Sequence, residues 1–279
     1  MDLSDIAPGL SLDPAGYWMA PEEVKTSYPA DGNDTCLRME EASFWFTHRN
    51  RAITAAVRRH PPADGPIFDV GAGNGYVSSA LEAAGFATVA IEPSRAGARN
   101  AVARRVLRVV CGSLPSSAFR AGTAGAIGLF DVLEHIDADR DYLQSLRPYL
   151  KTGGRLYLTT PAFSWLWSEN DVRAGHFRRY TIKTLAGAVA AAGYRVDYAT
   201  YIFWALPLPT LLFRTLPMKL HLRRSTSASR RDHALGGASL RRLAGRCFGF
   251  EIGRIALGRS IPFGGSCLLV ASATSSTPA

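Results

Sequence analysis

The apolar positions of this chain change period along its length, and those changes lay out its elements. From Glu40 to Arg59, Phe44, Phe46, Ile53 and Val57 recur with nearby alanines at near-helical spacing until His60-Pro61-Pro62 ends the run, which predicts a helix. Short β-rich runs then alternate with helical ones. Strands are predicted over Ile67–Val70, Ala87–Ile91, Val109–Gly112, Gly125–Phe130, Arg155–Thr160 and Arg195–Tyr201, with helices over Tyr76–Ala84, Ser94–Val106, Arg140–Leu150 and Thr181–Ala192. A last apolar run, Ser266–Ser272, predicts one more strand. This alternation means βαβ units, so the expected fold class is α/β, with a doubly wound, mostly parallel sheet.

The flanks read differently. Residues 1–39, rich in Asp, Pro and Gly, are expected to form an irregular N-terminal arm. Residues 204–265 interrupt the pattern between the last two strands; they begin apolar and Pro-punctuated, turn basic, and include a mobile-loop signature, Ser225-Thr226-Ser227-Ala228-Ser229-Arg230-Arg231.

Composition excludes disordered, collagen-like and coiled-coil chains: 47% of the residues are hydrophobic and 20% charged. Charge adds more, because the net +9 is unevenly placed. Residues 1–213 hold 21 Lys+Arg and 21 Asp+Glu, whereas 214–279 hold 11 against 2, the acids there being Asp232 and Glu251. Such asymmetry suits an anionic partner or a solvated basic loop. Cys36, Cys111, Cys247 and Cys267 include no C-x-x-C pair, so neither a zinc site nor a disulfide scaffold is signalled and no metal is expected. The acidic start, the absence of a signal-peptide pattern and the lack of a run of roughly 20 apolar residues lead to a cytoplasmic expectation.

The chemistry concentrates after the first strand. Phe68-Asp69-Val70-Gly71-Ala72-Gly73-Asn74-Gly75 leaves a strand and opens a helix, where α/β sheets bind nucleotides. Its spacing is G-x-G-x-G, without the pyrophosphate cradle of G-x-G-x-x-G. Asp69 would welcome a cationic amino group, and Glu92, ending the next strand before Pro93, can accept both hydroxyls of a ribose. A ligand joining an amino acid to a ribose points to S-adenosylmethionine.

On these residues the chain resembles class I S-adenosylmethionine-dependent methyltransferases, over about residues 40–203 plus the last strand. Asp69 to Gly75 looks like the family's first motif, Glu92 its ribose-binding acid, and Phe130-Asp131-Val132-Leu133-Glu134-His135-Ile136 the fourth motif. Leu150-Lys151-Thr152-Gly153-Gly154-Arg155-Leu156 resembles the turn before the fifth strand. Glu134-His135, Trp167-Ser168-Glu169-Asn170-Asp171 and Gly175-His176-Phe177-Arg178-Arg179-Tyr180 resemble the ubiquinone-biosynthesis-type small-molecule subgroup. The resemblance implies a seven-stranded Rossmann-like sheet, a cofactor-binding domain of residues 40–203 plus 266–279, and an inserted lid or substrate-binding segment at 204–265. Where many relatives carry an adenine-binding aspartate, this chain reads Cys111-Gly112-Ser113-Leu114, which leaves Ser113 or the loop backbone for that contact.

Methyl transfer needs alignment and exclusion of water, and a base only where the acceptor must lose a proton. Candidates are His48, His135, Asp171, His176 and Tyr180. His135 follows the fourth strand's carboxyl end, and its alternative use is to cap a helix or orient the cofactor. His176 is the first choice for substrate contact, with Asp171 and Arg179 equally suited to an ion-pair network. Asp131 is placed at the cofactor edge. Phe46 and Arg49 are read as closing over the sulfonium and gripping the cofactor's carboxylate, with packing as the alternative and packing favoured for Phe44.

The expected function is methyl transfer from S-adenosylmethionine to a small, partly hydrophobic and phosphorylated or natural-product-like acceptor. Trp204, Leu206, Leu208, Leu211, Leu212 and Phe213 are expected to line its pocket, with the basic half holding phosphate. Dimerisation and shallow peripheral membrane contact compete for the same segment. The alternatives are an RNA or protein methyltransferase using the basic segment, and a non-catalytic cofactor-binding scaffold; nucleic acid is the weaker option because no RNA-reading motif is present.

Overall fold

A computed structural model describes residues 2–22, 32–40, 43–219 and 248–274. Its sheet is mixed and has nine strands: β1 (Ser11–Leu12), β2 (Trp18–Met19), β3 (Ile67–Val70), β4 (Thr88–Glu92), β5 (Val109–Cys111), β6 (Ala124–Phe130), β7 (Leu150–Pro161), β8 (Tyr194–Ile202) and β9 (Ser266–Ala273), in the order β1-β2-β5-β4-β3-β6-β7-β9-β8. β3 runs parallel to both β4 and β6, whereas β9 is antiparallel to β7 and β8. The chain thus winds outward from β3 to β5 and then restarts at β6 on the other side. The carboxyl ends of β3, β4 and β6 flank that reversal, the usual ligand crevice of an open α/β sheet.

Both faces of the sheet are covered, and the strands' period of two sorts their side chains between them. Phe68, Ile127, Leu129, Leu156 and Leu158 enter the core that holds Leu143, Leu146, Leu185 and Val189 of the Asp139–Leu146 and Ile182–Ala191 helices. Ile67, Phe130, Tyr157, Leu268 and Val270 enter the opposite core, against Ala52, Ile53, Ala56 and Val57 of the Phe44–Arg59 helix. Those four helical positions recur every three to four residues, which is why that face packs on the sheet.

The structure corrects two expectations. The sheet has nine strands where seven were expected, because the N-terminal arm is built into it: β2 pairs parallel with β5 through Trp18 opposite Val110 and Met19 opposite Cys111, and Tyr17 is buried beside Val109 and Cys111. Two-residue strands carry no readable period. The helix expected over 40–59 is two helices, Gly32–Glu40 and Phe44–Arg59, the second capped by the Ser43 hydroxyl accepting from Trp45 N–H at 3.2 Å. The 204–265 segment forms helical turns over Pro207–Thr210, Leu211–Thr215 and Leu216–Lys219, and residues 248–256 are helical. Trp204, Leu208, Leu212 and Leu216 recur every four residues and are exposed, while Leu206 packs on the second core. Ser225–Arg231 and the rest of 220–247 lie outside the described residues, as does the Phe213 side chain. Among the described residues no helix is long and apolar enough to cross a membrane.

Candidate active site

The loop after β3 is shaped by its glycines. Gly71, Gly73 and Gly75 have φ of +73°, +56° and +70°, a left-handed backbone that other residues adopt only at a cost. A Cβ on Gly71 would sit 2.7 Å from Val132 Cγ2, and one on Gly75 would sit 2.8 Å from both Ala101 Cβ and Val106 Cγ2. Gly71 and Ala72 N–H donate to the Ile91 carbonyl at 2.8 and 3.2 Å, drawing the loop to the end of β4. Asp69 Oδ2 accepts from Ser78 Oγ at 2.6 Å, which ties β3 to the Tyr76–Ala83 helix across the loop. Burial raises the Asp69 carboxyl to about 6, against the Ser78 hydrogen bond and the nearby Arg49.

Glu92 ends β4 beside this loop. Its carboxylate accepts from Gly73 N–H at 2.8 Å and Ser94 N–H at 2.9 Å, and from the side chain of Asn33. Burial raises its pKa while those three donors oppose the rise. Asn33 belongs to the Gly32–Glu40 helix, which lies over the loop: Asn74 Nδ2 donates to the Asn33 carbonyl at 2.9 Å and to Glu40 Oε1 at 3.1 Å, and Arg104 Nη2 donates to Glu40 Oε2 at 2.6 Å. Sequence reasoning missed this cover, since nothing in the arm's pattern announces it. Pro93 accepts from Cys111 Sγ at 3.7 Å, and Gly112 backs onto Ala20, whose Cβ a Gly112 side chain would meet at 2.5 Å. Ser113 is engaged inside its own turn, exchanging hydrogen bonds with Ser116, and Leu114 is buried in the core.

At the end of β6, Arg49 Nη1 donates to Asp131 Oδ2 and Thr159 Oγ1 donates to Asp131 Oδ1 at 3.1 Å. The guanidinium carbon lies 4.8 Å from the Trp45 ring centroid and 5.4 Å from that of Phe46, whose ring meets Tyr76 edge-on. Arg49 is therefore on Asp131 here, with its buried Nε lacking a hydrogen-bond partner.

The residues after β6 and β7 converge on a second cluster. Leu133–His135 forms one turn of 3-10 helix, and the Glu169–Ala174 helix, closed by left-handed Gly175, delivers His176. Glu134, His135 and His176 present ligand atoms that all lie within 4.8 Å of one another, and the two imidazole centroids are 4.7 Å apart with the rings nearly perpendicular. Glu134 is fully buried, and neither of its carboxylate oxygens has a hydrogen-bond partner. Burial, with Asp131 nearby, holds that carboxyl well above the usual range. Burial and then the neighbouring His176 pull His135 down to about 4. His176 Nδ1 donates to Asp171 Oδ1 at 2.9 Å, and Arg179 grips the same carboxylate through Nε at 2.7 Å and Nη2 at 2.9 Å. Burial alone would raise Asp171, but the bonds from His176 and Arg179 hold it well below the usual range.

The other two candidate bases stand elsewhere. Tyr180 is buried in the first core and donates its hydroxyl to Asp139 Oδ2 at 2.7 Å. Burial and Asp139 push its phenol upward, which makes it a poor proton acceptor. His48 is buried against Glu251.

These residues suit S-adenosylmethionine. The glycines leave backbone where a Cβ would intrude, and Glu92 stands at the strand tip beside them. A family model described as a methyltransferase domain matches residues 45–199. No curated protein matches the chain. Among solved structures, a methyltransferase from Haloferax volcanii in complex with the Trm112 activator aligns with a TM-score of 0.56 at 16% identity, over 90% of this chain and 96% of that one. A SAM-dependent methyltransferase from Thermotoga maritima gives 0.54 at 15%, over 87% and 98%. The geranyl diphosphate C-methyltransferase of Streptomyces coelicolor, in complex with S-adenosyl-L-homocysteine, gives 0.50 at 16%, over 78% and 73%. At these identities the structural likeness shows the fold, and the family match goes further: the chain belongs to the methyltransferase-domain family and is an S-adenosylmethionine-dependent methyltransferase of class I.

Proposed function

We propose that this enzyme methylates a small, partly hydrophobic acceptor, held after β6 and β7 against His135 and His176. The observation that carries the reading is the second cluster itself: two imidazoles and a buried carboxylate converge at the end of β6, where Asp131 and Arg49 adjoin it, next to the loop suited to the cofactor. When bound, S-adenosylmethionine supplies an activated methyl group. The Gly71–Gly75 loop and Glu92 hold its amino-acid and ribose ends, with Asp69, Pro93, Gly112, Ser113 and Asp131 forming the rest of the cleft, while Leu114, expected there, packs in the core. Trp45 and Phe46 exclude water. His135, whose pKa is drawn down to about 4, meets the acceptor as a neutral ring, and Asp171 orients His176.

The segment 204–265 serves this reading as a substrate wall on the 40–203 plus 266–279 domain. Its helical turn at Thr215 donates to the Leu166 carbonyl at 3.3 Å, beside the loop that carries His176, and Leu208 and Leu212 offer apolar surface. The excess of 11 Lys+Arg over 2 acids in 214–279 favours an anionic, phosphorylated acceptor. The Glu134-His135 pair and Gly175-His176-Phe177-Arg178-Arg179-Tyr180 support placement in the ubiquinone-biosynthesis-type subgroup, and the reading places the enzyme in the cytoplasm. Methyl-labelled S-adenosylmethionine, incubated with the enzyme and cell extract of the source, tests it. Label in the small-molecule or lipid fraction is expected; label confined to RNA or protein overturns it.

A further inference from the structure

We infer that Asn33 competes with the cofactor's ribose for Glu92, so that binding of S-adenosylmethionine lifts the N-terminal end of the Gly32–Glu40 helix off that carboxylate. The inference rests on the reading that Glu92 holds the ribose. A carboxylate offers about four lone-pair positions, two on each oxygen. Gly73 N–H takes one on Oε2 at 2.8 Å, Ser94 N–H takes one on Oε1 at 2.9 Å, and the side-chain amide of Asn33 takes a third. One position is left, whereas a ribose diol brings two hydroxyl donors. The two backbone donors are built into the glycine loop and into the residue that caps the Arg95–Ala103 helix, so the donor that gives way is Asn33.

The packing shows what has to move. Asn33 is only 4% exposed. A Cβ on Gly97 would lie 2.7 Å from Asn33 Nδ2, 2.8 Å from Glu92 Cγ and 2.8 Å from the Gly73 carbonyl oxygen. The amide is thus wedged between the first turn of the Arg95–Ala103 helix and the glycine loop, in space that exists because Gly97 has no side chain. An amide so enclosed has no room to swivel away in place, and the helix end that carries it moves with it.

The other end of that helix is held separately. Glu40 accepts from Arg104 Nη2 at 2.6 Å and from Asn74 Nδ2 at 3.1 Å. Asn74 is itself fixed, its side-chain oxygen accepting from Asn100 Nδ2 at 3.0 Å and its carbonyl from Arg104 Nε at 3.1 Å. Asn74 Nδ2 also donates to the Asn33 carbonyl at 2.9 Å. An NH2 group has two donors, so it keeps its bond to Glu40 when the one to Asn33 is lost, and the helix pivots about Glu40.

The exchange has a use in turnover. A buried carboxylate is costly without donors, and Asn33 supplies one as the ribose leaves. Cofactor and product carry the same ribose, so Asn33 weakens both alike and leaves the methyl-transfer step untouched. Its part is to ease the departure of S-adenosylhomocysteine.

Calorimetry on the full chain, wild type and Asn33→Ala, with S-adenosylhomocysteine and with its 3′-deoxyribose counterpart tests the competition. Asn33→Ala should tighten S-adenosylhomocysteine about three- to tenfold, and the deoxy ligand, whose single hydroxyl fits the position already open, by at most about twofold. A packing change alone would move both ligands together. Unchanged or weaker binding of S-adenosylhomocysteine in Asn33→Ala, or equal tightening of both ligands, overturns the inference. Hydrogen exchange of the wild type, read by mass spectrometry, decides if that variant does not fold: the amides of the Gly32–Glu40 helix should exchange faster with saturating S-adenosylhomocysteine, and unchanged or slower exchange overturns the pivot. Glu92→Gln separates the two readings. Unchanged affinity for S-adenosylhomocysteine there refutes the ribose assignment itself, whereas weakened binding there without a gain in Asn33→Ala refutes only the part given to Asn33.

Discussion

His48 Nε2 lies 2.6 Å from Glu251 Oε2. The same buried carboxylate accepts Phe203 N–H at 3.0 Å and Trp204 N–H at 2.5 Å, where the chain leaves β8 with Phe203 at φ +62°. One side chain therefore joins the Phe44–Arg59 helix, the 248–256 helix and the exit of β8. The imidazole is held by this junction, packed against Phe44, Phe203 and Phe248.

Glu251→Ala should destabilise the fold strongly, because it strands buried donors that cost about 1–3 kcal/mol each when unsatisfied. Urea unfolding followed by circular dichroism would show a lower midpoint, with Glu251→Gln losing less because it keeps an acceptor oxygen. An unchanged midpoint in Glu251→Ala would mean that the junction contributes nothing.

Tyr180 gives a different kind of test. Its hydroxyl is bonded to Asp139, which Arg178 Nη1 also approaches at 3.1 Å. Tyr180→Phe is expected to cost about 1 kcal/mol of stability and to leave the rate of methyl transfer close to wild type. His176→Ala should abolish most of that rate. A large loss of turnover in Tyr180→Phe, without a loss of stability, would put the phenol in the chemistry.

The strands from β3 to β9 were legible because buried parallel strands appear as short apolar runs between helical stretches. The loop at Gly71, Gly73 and Gly75 was legible for a local reason: three left-handed positions demand glycine, and the sequence displays them. What depends on meeting partners was not. Charge type shows that Arg49 and Asp131 can pair, but only the fold brings the Phe44–Arg59 helix over the end of β6. The apolar run from Trp204 suggested a pocket lining, and within it Trp204, Leu208 and Leu212 are exposed. Cysteine spacing says nothing of the cluster of Glu134, His135 and His176, whose members come from two loops. Glu251 had a usable signal, as one of only 2 acids in a segment with 11 basic residues. Such an isolated acid, next to helical apolar positions, is a reasonable place to look for a buried, hydrogen-bonded carboxylate.

The ribose assignment rests on Glu92, and Glu92→Gln tests it. Gly73 N–H and Ser94 N–H bond to different carboxylate oxygens, so the amide keeps an acceptor for one of them and turns its NH2 towards the other, a loop cost that the urea midpoint of the variant reads separately. Losing the charge on a hydrogen-bonding partner typically removes about 1.5–3 kcal/mol, roughly a ten- to hundredfold weakening of S-adenosylhomocysteine. Calorimetry at constant pH reads it directly, and unchanged affinity would show that the ribose is held by other groups.

Asp69 makes stability depend on pH in the direction opposite to most carboxylates. Burial raises it in the folded protein to about 6, from the ordinary value of 3.8. Between those values the native state holds a proton that the unfolded chain has already released, so this group makes the fold less stable as pH rises. Over the full window the loss comes to about 3 kcal/mol, at roughly 1.4 kcal/mol per pH unit. Asp69→Asn cannot release that proton. Urea unfolding of the ligand-free protein at a series of pH values between about 4 and 7 should therefore show the difference, wild type minus variant, falling with pH and levelling above about 6. A difference that stays flat across the window would mean that Asp69 is ionised throughout, with Ser78 and Arg49 outweighing its burial.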